Sequence, residues 1–151
     1  MTVIISNLDE FQELVGRHLG FSEYLTVSQE TINLFADATG DHQWIHVDPE
    51  RAASGPFGAA IAHGYLTLSL IPALIGQIFL VENLTFGVNY GCNKVRFAAP
   101  VPAGSRIRLG VTVASVEEIA DGVQVVLDSI LEVEDAEKPS CVAQVVYRYY
   151  R

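Results

Sequence analysis

The chain has 151 residues, half of them apolar and 18% charged, with a formal net charge of −9. That length suits one domain spanning residues 1–151, and the composition is too apolar for disorder. The acidic balance excludes a general nucleic-acid or anionic-membrane surface, because both need clustered Lys and Arg to displace counterions.

In chain order, Ser6-Asn7-Leu8-Asp9 has the pattern of a helix start, and Leu8, Phe11, Leu14 and Val15 recur at helical spacing, so a short amphipathic helix is expected to end between Gly16 and Gly20. A second helix starts after Ser28, gathers Ile32, Phe35 and Ala36 on one face and stops at Gly40. Asp48-Pro49 opens a third, with Asp as cap and Pro at the first helical position, and the glycine-rich segment 54–60 cuts it short. From Ile61 to Val81 the chain is almost continuously apolar. The interruptions at His63, Gly64, Pro72, Gly76 and Gln77 mark a buried helix from about Gly64 to Leu80, kinked at Pro72, and not a membrane span.

Beyond Leu84 the pattern changes. Segments 93–97, 106–113, 123–131 and 141–149 are rich in β-branched and aromatic residues, and turn-forming sequences at Pro102-Ala103-Gly104, Asp121-Gly122 and 135–139 separate them. Helices first and strands afterwards predict an α+β fold, with the apolar helix packed on an antiparallel sheet. A helix that is apolar all round needs more cover than one sheet provides, and a symmetric homodimer would supply it. Cys92 and Cys141 form no CxxC, and the start MTVIISNLDEF has no signal-peptide character, so a reduced, cytoplasmic protein is expected.

The segment ATGDHQWIHVD (Ala38–Asp48) gathers two aspartates and two histidines between the stop at Gly40 and the start at Asp48. Asp41 and His46 are five apart, a spacing that diverges by about 140° on a regular helix, so they converge only if the segment turns. Trp44 and Ile45 are expected to anchor it into the core. A carboxylate and an imidazole sharing one water make an acid–base pair, and each well-placed proton transfer contributes roughly 10²–10⁴ in rate. The alternative is that Asp41 caps local backbone while His46 is a hydrogen-bonded core histidine. His42 and His46 have the i, i+4 spacing of a zinc helix, but Gln43 stands where HExxH requires glutamate, so no metal is expected.

His63-Gly64 opens the apolar helix. Free N–H groups of a first helical turn can hold a developing oxyanion, and Gly64 would let a ligand approach the backbone; a plain helix entry is the other possibility. Lys94, Arg96, Arg106 and Arg108 form the densest basic cluster, suited to an anionic ligand or to an ordinary strand surface. There is no GxSxG, no phosphate-binding loop and no GxGxxG.

FADATGDHQWIHVD, the glycine-rich stretch, IAHGYLTLSL and then NYGCNKVRFAAPVPAGS together resemble the MaoC-like dehydratases, the (R)-specific enoyl-CoA hydratases, and in particular their nodulation-protein-N-like branch. The resemblance implies a hot-dog fold, in which an antiparallel sheet wraps a long central helix, and a homodimer. It implies hydration of a trans-2-enoyl-CoA to the (R)-3-hydroxyacyl-CoA, and the reverse dehydration. It puts the catalytic pair on Asp41 and His46 and the oxyanion glycine on Gly64, with His63 and Gln43 beside the substrate. Lys94, Arg96 and Arg106 are then candidates for the phosphates of coenzyme A, which belongs to the acyl-CoA thioester substrate; no separate cofactor is implied. Gln43 and Trp44 replace the Asn-Pro of the family pattern, and Pro72 stands where some members carry serine. Thioester hydrolysis and a non-catalytic acyl-thioester binding module are the alternatives on the same residues.

Overall fold

In the computed structural model, which describes residues Met1–Arg151, the chain begins with β1 (Val3–Ile5), a 3-10 helix (Leu8–Leu14), β2 (His18–Phe21) and β3 (Leu25–Thr26). Five helices follow: α1 (Gln29–Thr39), α2 (Trp44–Val47), α3 (Pro49–Ala53), α4 (Gly64–Ser69) and α5 (Ile71–Ile78). The chain ends in β4 (Phe79–Val81), β5 (Phe86–Arg96), β6 (Arg106–Ile119), β7 (Gly122–Val133) and β8 (Cys141–Tyr150).

One antiparallel sheet runs in the order β2-β6-β7-β8-β5, with β3 also paired to β6. Period-two alternation turns Leu109 and Val111 of β6, Leu127 and Leu131 of β7, and Val145 and Tyr147 of β8 to the buried face. Against it lie Ile71, Leu74, Ile75 and Ile78 of α5, and Phe11 from the 3-10 helix, stacked on Tyr149. The α+β expectation therefore holds; β6, β7 and β8 start at or next to their expected places, whereas β5 begins at Phe86, seven residues before the expected 93–97.

Local caps explain the boundaries of α1 and α3. Ser28 Oγ accepts from the Thr31 N–H at 3.1 Å, and Gly40 closes α1 in the left-handed conformation (φ 80°), returning its N–H to Ala36 O at 2.8 Å. Asp48 Oδ1 accepts from the Arg51 N–H at 3.1 Å, and Pro49 follows at the first helical position.

Two expectations change. The first helix is 3-10 and ends at Leu14, because Gly16 (φ 83°) turns the chain into β2; its cap is Asn7, with the Glu10 carboxylate reaching back to the Ser6 N–H at 2.9 Å. The central helix is two segments meeting at Leu70. Pro72 has no N–H to offer Leu68, and the helix stops at Ile78, where Phe79 becomes extended and pairs with Val3 of β1. One sheet leaves part of this apolar helix uncovered, as expected: Pro72, Ala73 and Gly76 face outward and are exposed. The short strands β1 to β4 carry too few residues for alternation to mark them; β2 and β3 pair along β6, and β1 and β4 pair only with each other. No helix is long and apolar enough to cross a membrane.

Candidate active site

Gly40 ends α1, residues 41–43 are irregular, and α2 makes a single turn before Asp48 caps α3. That sequence of stops turns His46 inward, where it is 7% exposed. Trp44 and Ile45 are only half-buried. The Trp44 ring packs on Gly55, where a Cβ would come within 2.9 Å of it, and Arg51 stands over the ring, 4.2 Å from its centroid. The segment's anchor is thus His46, and Trp44 instead braces the glycine-rich loop.

Two hydrogen bonds cross-link the site. The His46 ring, through Nδ1, is 2.7 Å from the Ile61 carbonyl, and the His63 ring, through Nε2, is 2.9 Å from the Asp41 carbonyl. A carbonyl only accepts, so His46 Nδ1 and His63 Nε2 each carry a hydrogen, the tautomer that leaves the lone pair of the His46 imidazole on Nε2. Each imidazole is fastened to the segment that carries the other. The Ile61 N–H also donates to Ile45 O at 3.0 Å, and the Ala62 N–H to Val101 O at 2.8 Å, which fixes segment 60–63 between α2 and the 101–103 segment that precedes β6. The two rings stack with centroids 3.9 Å apart, and Phe35 of α1 lies against His63 at 4.9 Å.

Side-chain atoms of Asp41, His46 and His63 lie within 4.8 Å of one another. Asp41 and His46 therefore converge, because α2 begins only at Trp44 and the chain reverses before it. A single water at hydrogen-bond distance from both can span up to about 5.6 Å, so the gap suits one shared water. The same spacing would admit a divalent ion, to which His63 could offer only Nδ1, a buried atom without a partner. His42 does not join them. It precedes α2, is exposed and bonds Asp37 at 2.8 Å, an interaction that raises its pKa above the ordinary histidine value.

His46 opens onto an apolar pocket of about 330 Å³, whose wall includes Phe57, Ile61, Gly64, Thr67, Phe97 and Val101. Gly64, at the start of α4, meets the Phe97 ring so closely that a Cβ there would stand 2.8 Å from it. The pair expected at 41 and 46 and the glycine at 64 are thus neighbours. Other expected site residues are placed differently. His63 is not in the pocket wall, and neither ring nitrogen is available to a ligand in that pocket. Gln43 donates its main-chain N–H to Asp41 Oδ1 at 3.3 Å while its side chain is exposed. Lys94, Arg96 and Arg106 do not line the pocket. Arg106 is held by both oxygens of Glu134 at 3.0 Å, because strand pairing sets β6 beside β7, and Lys94 lines a separate cavity with Asp128 and Gln144. Arg96 donates to the Val95 carbonyl at 2.7 Å and has no carboxylate partner. Thr67 and the aromatic residues Phe57 and Phe97 escape sequence reasoning; only Thr67 has a signal, lying one helical turn after Gly64.

The MaoC like domain family matches residues 10–134. The 3-hydroxyacyl-thioester dehydratase Z of Mycobacterium tuberculosis is 54% identical over 135 residues, 89% of each chain. Nodulation protein N of Rhizobium leguminosarum is 53% identical over 104 residues, 68% of this chain and 65% of its own. Among solved structures, an Archaeoglobus protein described as a monoamine oxidase regulatory protein has a TM-score of 0.80 at 23% identity, covering 100% of this chain and 97% of that one. An (R)-hydratase from A. caviae has a TM-score of 0.72 at 22% identity, with coverage of 88% and 94%. These likenesses give the fold, the hot-dog arrangement of helix and antiparallel sheet. By the family match and the identity to its relatives, the chain belongs to the MaoC-like domain family.

Proposed function

We propose that the chain is a hydro-lyase, adding water to a trans-2-enoyl thioester of coenzyme A and removing it from the (R)-3-hydroxyacyl thioester. One observation carries this: a carboxylate and an imidazole with a free Nε2 converge within 4.8 Å beside an apolar pocket that Gly64 also lines. The relative in Mycobacterium tuberculosis, named as a 3-hydroxyacyl-thioester dehydratase, supports the substrate class.

The thioester carbonyl accepts from the Gly64 N–H, and Asp41 and His46 hold the water over the β-carbon. His46 Nε2 takes one proton from the water as its oxygen bonds to the β-carbon. The π electrons of the double bond move onto the carbonyl oxygen as an enolate, which a donor of this kind stabilises enough to contribute roughly 10²–10³ in turnover. The proton on His46 passes to the Asp41 carboxylate, and the enolate collapses as the resulting carboxyl delivers that proton to the α-carbon, so the net addition is H and OH on one face and both residues return to their starting forms. Dehydration is the same path reversed. The acyl chain packs along the apolar pocket wall. Arg96, next in the chain to Phe97 of that wall, is the cation offered to the coenzyme's phosphates.

The protein works as a homodimer in the cytoplasm. β5 is a sheet edge with only β8 beside it, and Phe86, Val88 and Tyr90 on it are exposed, as are Tyr65 and Leu80 near the open face of the helix. Cavities of about 330 and 350 Å³ run between that helix face and β5 and include Tyr147, whose hydroxyl is buried without a partner. A second copy set edge to edge on β5 would cover this strip. Free Cys92 and Cys141 suit a reducing compartment.

The test follows loss of the conjugated-thioester absorbance with enoyl-CoA of several lengths, for the native chain and Asp41→Asn. Expected are turnover to the (R)-alcohol by the native chain and its collapse in the variant. Absence of turnover at every length refutes the reading, and release of free thiol would assign hydrolysis instead.

A further inference from the structure

We propose that His63 is a positioning residue that holds the Asp41 carboxylate in register with His46; the inference rests on the hydro-lyase reading. Asp41 is exposed and lies in the irregular stretch between α1 and α2. Its other hydrogen bonds are long and local: its N–H reaches Thr39 Oγ1 at 3.5 Å, and its Oδ1 accepts from the Gln43 N–H at 3.3 Å. The one bond that ties it to a distant part of the chain runs from His63 Nε2–H to its main-chain carbonyl, 2.9 Å long and spanning 22 residues.

His63 is itself immobilised. It is 3% exposed, its ring lies between His46 at 3.9 Å and Phe35 at 4.9 Å, and its carbonyl accepts from the Thr67 N–H at 3.2 Å. One imidazole therefore fixes the main chain that carries the carboxylate by a hydrogen bond, and the base by stacking. The remaining nitrogen, Nδ1, is buried and unpartnered, so His63 acts through Asp41 and not on the substrate. A phenylalanine would fill the same stacked space without burying an unsatisfied nitrogen. What the histidine adds is the Nε2–H bond, and with it the geometry of the acid–base pair.

The experiment is steady-state hydration of an enoyl-CoA by the native chain, His63→Phe, His63→Gln, Asp41→Ala and the double variant Asp41→Ala/His63→Phe, each with its urea midpoint. His63→Phe keeps the stacked ring and removes the donor. It is expected to lower kcat about 10- to 100-fold, the scale of a misplaced catalytic group, with KM within about twofold and the urea midpoint kept. His63→Gln, whose amide can reach the same carbonyl, is expected to be faster than His63→Phe. Because His63 works through Asp41, the double variant should be no slower than Asp41→Ala alone, a non-additivity that a merely structural role would not produce. Wild-type kcat in His63→Phe, equal rates in the Gln and Phe variants, or losses that multiply in the double variant would each overturn the proposal. If His63→Phe does not fold, His63→Leu enters the same cycle and the same criterion decides. A native chain without turnover overturns the hydro-lyase reading and this proposal with it, whereas an active native chain with additive variants overturns the role of His63 alone.

Discussion

Replacing His46 by asparagine and by alanine separates what its two nitrogens do. Nδ1–H is the donor to the Ile61 carbonyl at 2.7 Å, and an asparagine amide, which occupies nearly the same place as Nδ1, can keep that bond. Alanine cannot, which leaves a buried carbonyl without a donor, a cost of about 1–3 kcal/mol. Both variants lose the stack on His63, about 0.5–1.5 kcal/mol for a ring pair of this kind. His46→Ala is therefore expected to lose about 1.5–4.5 kcal/mol of stability, and His46→Asn no more than about 1.5 kcal/mol. Neither retains Nε2, so both should lose roughly 10²–10⁴ in kcat, the contribution of a well-placed general base. Urea denaturation at pH 7 and the enoyl-thioester absorbance assay read the two quantities on the same samples. An asparagine variant that is folded and within about tenfold of native kcat would refute His46 as the base. One as unstable as the alanine variant would refute the assignment of Nδ1–H to Ile61.

Gly64→Ala puts a Cβ 2.8 Å from the Phe97 ring, which must swing because the helix backbone cannot. The ring is partly exposed, so the fold should survive, while kcat/KM falls about 10- to 100-fold as the reacting carbonyl is displaced; unchanged kinetics would remove Gly64 from the site. Tyr90→Lys places a charge on the exposed edge strand β5 and should shift the protein to monomer in sedimentation, and a variant that stays dimeric would place the interface elsewhere. Alkaline stability follows from burial, which pushes the Cys141 thiol from 9.0 up to about 11 and the Tyr147 hydroxyl from 10.0 up to about 12. Both groups are neutral when protonated, and the folded chain holds these protons more tightly than the unfolded one. The stabilisation is thus complete below pH 9 and is lost as pH rises through 9–11 for the thiol and 10–12 for the phenol. Urea midpoints should fall across that range, with the first part of the fall absent in Cys141→Ala; a midpoint that holds to pH 11 would contradict the burial argument.

Much of this protein is decided within a few residues of chain. Ser28 and Gly40 bound α1 because a hydroxyl satisfies the first free N–H groups and a glycine takes the left-handed closing turn. Asp48-Pro49 opens α3 for the same local reasons, and β-branched and aromatic enrichment between turn sequences marks β6, β7 and β8, whose successive side chains point to opposite faces. The motif around Asp41, His46 and Gly64 is likewise legible as composition and spacing. Its convergence is not. Five residues separate Asp41 from His46 and 15 separate His46 from Ile61, and only the seating of segment 60–63 against Val101 brings the imidazole of one stretch to the carbonyl of the other. The same holds for His63, whose bond to Asp41 crosses 22 residues, and for Arg106, neutralised by Glu134 through strand pairing. Caps and alternation depend on bonds between near neighbours, which any chain with those residues can make. The site depends on where distant segments are brought to rest by the packing of the helix on the sheet, and that is settled only when the whole core closes.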